Sequence, residues 1–119
     1  MAFDVVLNNQ KKVFHLVSAA STNATVVKAN PGKLSGYYIY NNNASARKLV
    51  FHDSASTPTS GASVYFSLVI PAQSGANCPL PEDGVDFANG IAITTVTGIA
   101  DSDNTAVAAN DLTINLFYK

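Results

Sequence analysis

Apolar and polar side chains alternate with a period of two along most of the chain, which is the signature of half-buried β-strands. Leu112, Ile114, Leu116 and Tyr118 alternate with Thr113, Asn115 and Phe117. Val64, Phe66, Leu68 and Ile70 do the same against Tyr65, Ser67 and Val69. Val13, His15 and Val17 oppose Phe14 and Leu16, and Leu49 and Phe51 oppose Val50 and His52. Further strands are predicted over residues 3–7, 25–29, 34–40 and 91–97, about eight in all. Between them lie clusters of turn residues: Asn8-Asn9-Gln10, Asn30-Pro31-Gly32, Asn41-Asn42-Asn43, Pro58 to Gly61, Pro71 to Gly75, Asp83-Gly84 and Asn89-Gly90. No stretch carries a capped helical period over three turns, and the best helical candidate is residues 105–109. Short strands at this spacing predict an all-β, antiparallel two-sheet sandwich, with a jelly roll of about eight strands as the expected arrangement.

Several strands are apolar on both faces, which a sandwich with one wet face per sheet does not require. Tyr37 and Ile39 fall on one side of their strand, and Tyr38 and Tyr40 on the other. Phe117, Tyr65 and Val69 fall on outward positions of theirs. Two readings stand at this point: the aromatic positions form an interface, or loops of the same chain cover the sheet. The interface reading names Tyr37, Tyr38, Tyr40 and Phe117. It adds Phe3, Val5 and Leu7 of a first segment, residues 1–9, that either belongs to the chain's own sheet or extends as an arm to pair with a neighbour's sheet edge.

The length of 119 residues fits a single domain over 1–119, large enough for a core without disulfides or metal. Charged residues are only 13 %, and Asn, Ser and Thr supply the missing polarity at 32 positions. A charge-rich disordered chain is thereby excluded. Net charge is −1, against a basic nucleic-acid footprint, and no apolar run is long enough for a membrane helix. The charges are divided along the chain. Residues 1–50 carry six cations and Asp4, a net of +5; residues 51–119 carry seven acids and Lys119, a net of −6. One cysteine, Cys78, forbids an internal disulfide. The N-terminal residues lack the cationic start and apolar run of a signal peptide, so synthesis in a reducing cytoplasm is expected.

Catalytic chemistry finds little support. His15 and His52 each sit inside a strand pattern, and adjacent His52 and Asp53 point to opposite faces of a strand. No nucleophile elbow, phosphate loop or dinucleotide fingerprint is present. Cys78 and the two histidines lack metal-ligand spacing. Asp101 and Asp103 open like a calcium loop, but Ala106 stands where glycine is needed and Leu112 where glutamate is needed, so an Asx-turn is the expected role. Neither an enzyme nor a cofactor is expected.

Gly36-Tyr37, Phe51, Ala55, Pro58-Thr59, Gly61, Ile70-Pro71, Gly75, Phe87, Gly90-Ile91-Ala92 and Ala100 to Asp103, in this order, resemble small structural proteins of tailed bacteriophages. The chain is similar to the jelly-roll cement or decoration proteins that clamp neighbouring major capsid subunits. The resemblance covers residues 34–119 through turns and strand patterns. It implies a non-enzymatic virion protein at the capsid surface, made in the host cytoplasm, with the major capsid protein as partner and a trimeric state. The alternatives are a tail-fibre or receptor-binding head and a lectin-like carbohydrate module. Neither nucleic acid nor membrane is an expected partner.

Overall fold

The computed structural model describes residues 11–80 and 84–119, and among these every regular element is a strand. In chain order they are β1 (Lys12–Val17), β2 (Thr25–Lys28), β3 (Gly32–Asn41), β4 (Arg47–Asp53), β5 (Phe66–Ile70), β6 (Ser74–Pro79), β7 (Val85–Phe87), β8 (Ile91–Val96) and β9 (Leu112–Tyr118). Sheet A runs β1-β9-β3-β6, with β7 pairing the start of β3; sheet B runs β2-β8-β4-β5. All pairs are antiparallel. This is the two-sheet antiparallel sandwich that the periodicity predicts. The segment holding Phe3, Val5 and Leu7 lies outside the described residues.

Three expectations are corrected. Residues 74–79 and 85–87 form strands β6 and β7, where the sequence suggested only turns and small residues. Residues 105–109 are extended and turn rather than helical, and Val107 from this stretch plugs into the core. Alanine's helix preference yields here to the anchoring of one buried side chain and to a reverse turn at Asn110, whose φ is 63°. Strand β5 begins at Phe66, two residues later than expected.

The core lies between the sheets. Leu34 and Ile39 of β3 and Leu112, Ile114 and Leu116 of β9 meet Leu49 and Phe51 of β4 and Ile91 and Ile93 of β8. A register shift between Leu34 and Gly36 puts one extra residue into β3. That bulge turns Leu34 inward beside Ile39, although strict alternation would place them on opposite faces. Phe51 stacks on Phe66 with centroids 4.5 Å apart, and Phe87 tilts against both. Tyr65 closes the cluster edge-on to Phe87, its hydroxyl donating to the Asp86 carbonyl at 2.9 Å.

The two outward faces differ. On sheet B the outward residues of β4 and β8 are Lys48, Val50, His52, Ala92, Thr94 and Val96, and none is more than 2 % exposed. Loops 54–65 and 97–104 cover them. Lys48 Nζ donates to the carbonyls of Ile99 at 2.7 Å and Ala100 at 2.9 Å, and His52 is bonded to Ser63. The two loops meet at Gly61, where a Cβ would stand 2.7 Å from the Ser102 carbonyl oxygen and φ is +81°. Only glycine fits that approach. Sheet A has no such cover among the described residues.

Candidate binding face

The outward face of sheet A is a grid set by register. One row crosses the sheet as Val17, Thr113, Tyr40 and Gly75; the next as His15, Asn115, Tyr38 and Asn77; the third as Val13, Phe117, Gly36 and Pro79. Val13 is 62 % exposed, Tyr38 50 %, Val17 43 % and Tyr40 37 %. These are the side chains that sandwich sheets normally exchange for polar ones on a wet face. Tyr38, Tyr40 and Phe117 therefore share one face of sheet A. Tyr37 is not on this face. It turns to the opposite side and packs against the core, beside Cys78, and burial together with that thiol raises its hydroxyl pKa.

The middle row is ordered by hydrogen bonds. Asn115 Oδ1 accepts from His15 Nδ1 at 2.8 Å, and Asn115 Nδ2 donates to the Tyr38 carbonyl at 3.3 Å. The His15 tautomer follows, because an amide oxygen only accepts: Nδ1 carries the proton. Sequence reasoning placed His15 on a strand but did not connect it with Asn115, 100 residues away, since only the β1–β9 register brings them together.

Gly36 leaves a notch in the third row. Its missing side chain would stand 3.0 Å from the Cys78 carbonyl and 3.5 Å from the Phe117 ring. A cleft of about 310 Å³ opens there, bordered by Tyr38, Asn77, Pro79 and Phe117, with Lys11 at its rim. Glycine at this position was legible in the sequence, but Pro79 and Asn77 were not, because they sit on the unexpected strand β6.

The charge division along the chain survives in part as a division in space. Lys11 and Lys12 open β1, Lys119 follows β9, Lys33 opens β3 and Lys28 ends β2, all at one end of the sandwich. Asp86, paired with Lys33, and Asp53 lie at the same end. At the opposite end Arg47 and Lys48 meet Asp101, Asp103 and Asp111. Among the described residues no carboxylate pairs with Lys11 or Lys12.

The other polar residues singled out in the sequence have structural partners. His52 Nδ1 donates to the Ser63 carbonyl at 3.1 Å and Nε2 accepts from the Thr94 hydroxyl at 2.8 Å, so both ring nitrogens are engaged. Burial lowers its pKa. Asp53 accepts from the backbone N–H groups of Ala88, Asn89 and Gly90, which lower its pKa and cap the β7–β8 turn. Asp103 accepts from Gly98 N, Thr105 N and the Thr105 hydroxyl, the Asx-type role expected of it. Asp101 is 76 % exposed and stands 3.9 Å from Lys48 Nζ, so its carboxylate faces a cation. Asp111 is held by Arg47 Nε at 2.9 Å, Asn43 Nδ2 and Ala108 N; these bonds outweigh burial and lower its pKa. Among the described residues no group of three His, Cys, Asp or Glu side chains is placed to hold a metal ion. No family model, curated protein sequence or solved structure matches the chain.

Proposed function

We propose that the chain is a non-enzymatic docking module that attaches to a larger assembly through the outward face of sheet A, and that the assembly is the shell of a tailed bacteriophage. The observation that carries the docking reading is the asymmetry of the sandwich. Loops of the chain cover the central strands β4 and β8 of sheet B, leaving Val69 of its edge strand β5 exposed, while sheet A presents Val13, Val17, Tyr38 and Tyr40, with half-buried Phe117, in register. Exposed aromatic and aliphatic side chains gathered on a flat face mark an interaction surface. The shell reading draws its support from the resemblance to cement proteins, with the major capsid subunit as partner and three copies around a local three-fold site. In that role the module adds contact area across capsomer boundaries, and the shell resists internal pressure. The test is the copy number of this chain in purified particles, by quantitative mass spectrometry against the major shell subunit. A ratio within a few-fold of one is expected, falling sharply for the double variant Tyr38→Ala, Val13→Asp. Absence from particles overturns the shell reading.

A second reading takes the same face as a sugar platform on a tail-fibre head or lectin-like module. Tyr38 and Tyr40 stand two residues apart on one face, roughly 7 Å along the strand, beside the His15, Asn115 and Asn77 polar groups. Glycan-array binding that Tyr38→Ala abolishes, with only a handful of copies per particle, selects this reading.

A further inference from the structure

We infer that the Gly36 cleft is the seat for one bulky apolar side chain of an acidic peptide segment, an inference that rests on sheet A being the docking face. The cleft exists because β3 carries glycine where its neighbours in the row carry Phe117 and Pro79. Its lining is mostly apolar, with Tyr38, Phe117 and Pro79 beside parts of Tyr37, Cys78 and Ser35, and Asn77 offers an amide donor and acceptor. At about 310 Å³ it is at the small end of ligand sites and suits a single anchor residue of the kind that dominates protein interfaces. Charge chooses the flanking chemistry. Among the described residues, the one charged residue bordering the cleft is Lys11, Lys12 follows it, and neither has a carboxylate partner. Lys119 lies across from this end of β1. A segment with one phenylalanine or leucine between aspartates or glutamates meets both demands, while a basic segment meets like charge.

The experiment is a titration of the isotopically labelled protein, followed by amide shifts, with the blocked peptide Asp-Asp-Phe-Asp-Asp as probe. Shifts are expected at Gly36, Tyr38, Asn77 and Phe117 and not in sheet B. Lys11→Glu, a surface change that leaves the fold intact, weakens binding at least about fivefold, the effect of roughly 1 kcal/mol of lost attraction. Gly36→Ala fills the notch and removes the shifts; if this variant fails to fold, Phe117→Ala, which removes a wall, replaces it. Equal binding by Lys-Lys-Phe-Lys-Lys overturns the choice of an acidic partner. Absence of shifts at these four amides with millimolar peptide, or shifts there with a β-linked glucose trisaccharide instead, overturns the inference. Loss of particle occupancy in the Tyr38→Ala, Val13→Asp variant without peptide binding to the cleft leaves the docking reading standing and removes only this one.

Discussion

Burial disfavours the charged form of His52 and lowers its pKa, outweighing the Ser63 carbonyl, which favours the charged ring, while Thr94 engages the other nitrogen. Its folded pKa lies below the ordinary value, so its contribution is full above about pH 6.5, where the unfolded chain is also neutral. As pH falls below that value the unfolded state takes up a proton that the folded state refuses, and stability declines. The lowered carboxylates of Asp53, Asp103 and Asp111 act later: their contribution is full above the ordinary aspartate range and disappears as pH falls through their folded values. Urea midpoints of the wild type are therefore expected to drop between pH 7.5 and 5.5, while His52→Gln, with nothing to titrate there, shows no such drop. Lys48 presents a different case. Its ammonium ties loop 97–104 to sheet B through two carbonyls. Lys48→Met keeps the volume and removes both bonds, so amide exchange in the loop rises at least about tenfold, corresponding to roughly 1.5 kcal/mol, while β9 keeps its protection.

At the level of strands, the two outward faces respond oppositely to the same substitution. Val50 and Tyr38 both occupy outward positions of central strands, yet Val50 is 2 % exposed and Tyr38 50 %. Val50→Asp leaves an unpaired charge under the loops and costs about 4 kcal/mol or more, whereas Tyr38→Ser stays within about 0.5 kcal/mol. Thermal denaturation of the two variants measures this contrast, and equal losses would contradict the covered and bare faces. The long strands were legible because burial on one or both faces writes itself as alternation or as an apolar run. β6 was not, since its inward positions are the small Ala76 and Cys78 and its outward ones Gly75, Asn77 and Pro79. An edge strand borrows its order from β3 and needs few apolar atoms of its own. The bulge after Leu34 was equally invisible: it depends on how β9 pairs, not on local composition. For the same reason Tyr38 and Tyr40 could be assigned to one face from the sequence alone, but their grouping with Phe117, His15 and Val13 could not. Which sheet the loops cover was open as well, since it turns on contacts such as Gly61 with Ser102.

For the whole molecule, size limits what the outward face of sheet A can hold. Four strands spaced about 4.8 Å apart and six residues rising about 3.4 Å each make a face of roughly 400 Å². One partner's share of a stable interface is roughly 800 Å². In the proposed docking role, a single copy on this face alone would therefore bind weakly, and several copies engaged on one lattice would bind far more tightly through effective concentration. If the proposed docking holds, fusing the chain to a trimerising coiled coil is expected to raise its apparent affinity for the proposed shell by about 100-fold or more over a single copy. Surface plasmon resonance on immobilised particles measures the gain, and an unchanged affinity would mean that the contact extends well beyond sheet A. The lysine-rich end adds a salt-dependent component, so association slows as ionic strength rises.

The enclosure of Lys48 also gives the molecule an internal clock. Amine-acylating reagents modify ammonium groups that reach water and lose their proton there. Lys11 and Lys12 are exposed and Lys33 is 41 % exposed along its side chain, whereas Lys48 is 2 % exposed with its nitrogen turned into the loop carbonyls. Peptide mapping after brief acylation should show the exposed lysines modified within the first time points and Lys48 only at the rate at which loop 97–104 lifts. The ratio of the two rates reads the opening free energy of that loop in the unmodified chain.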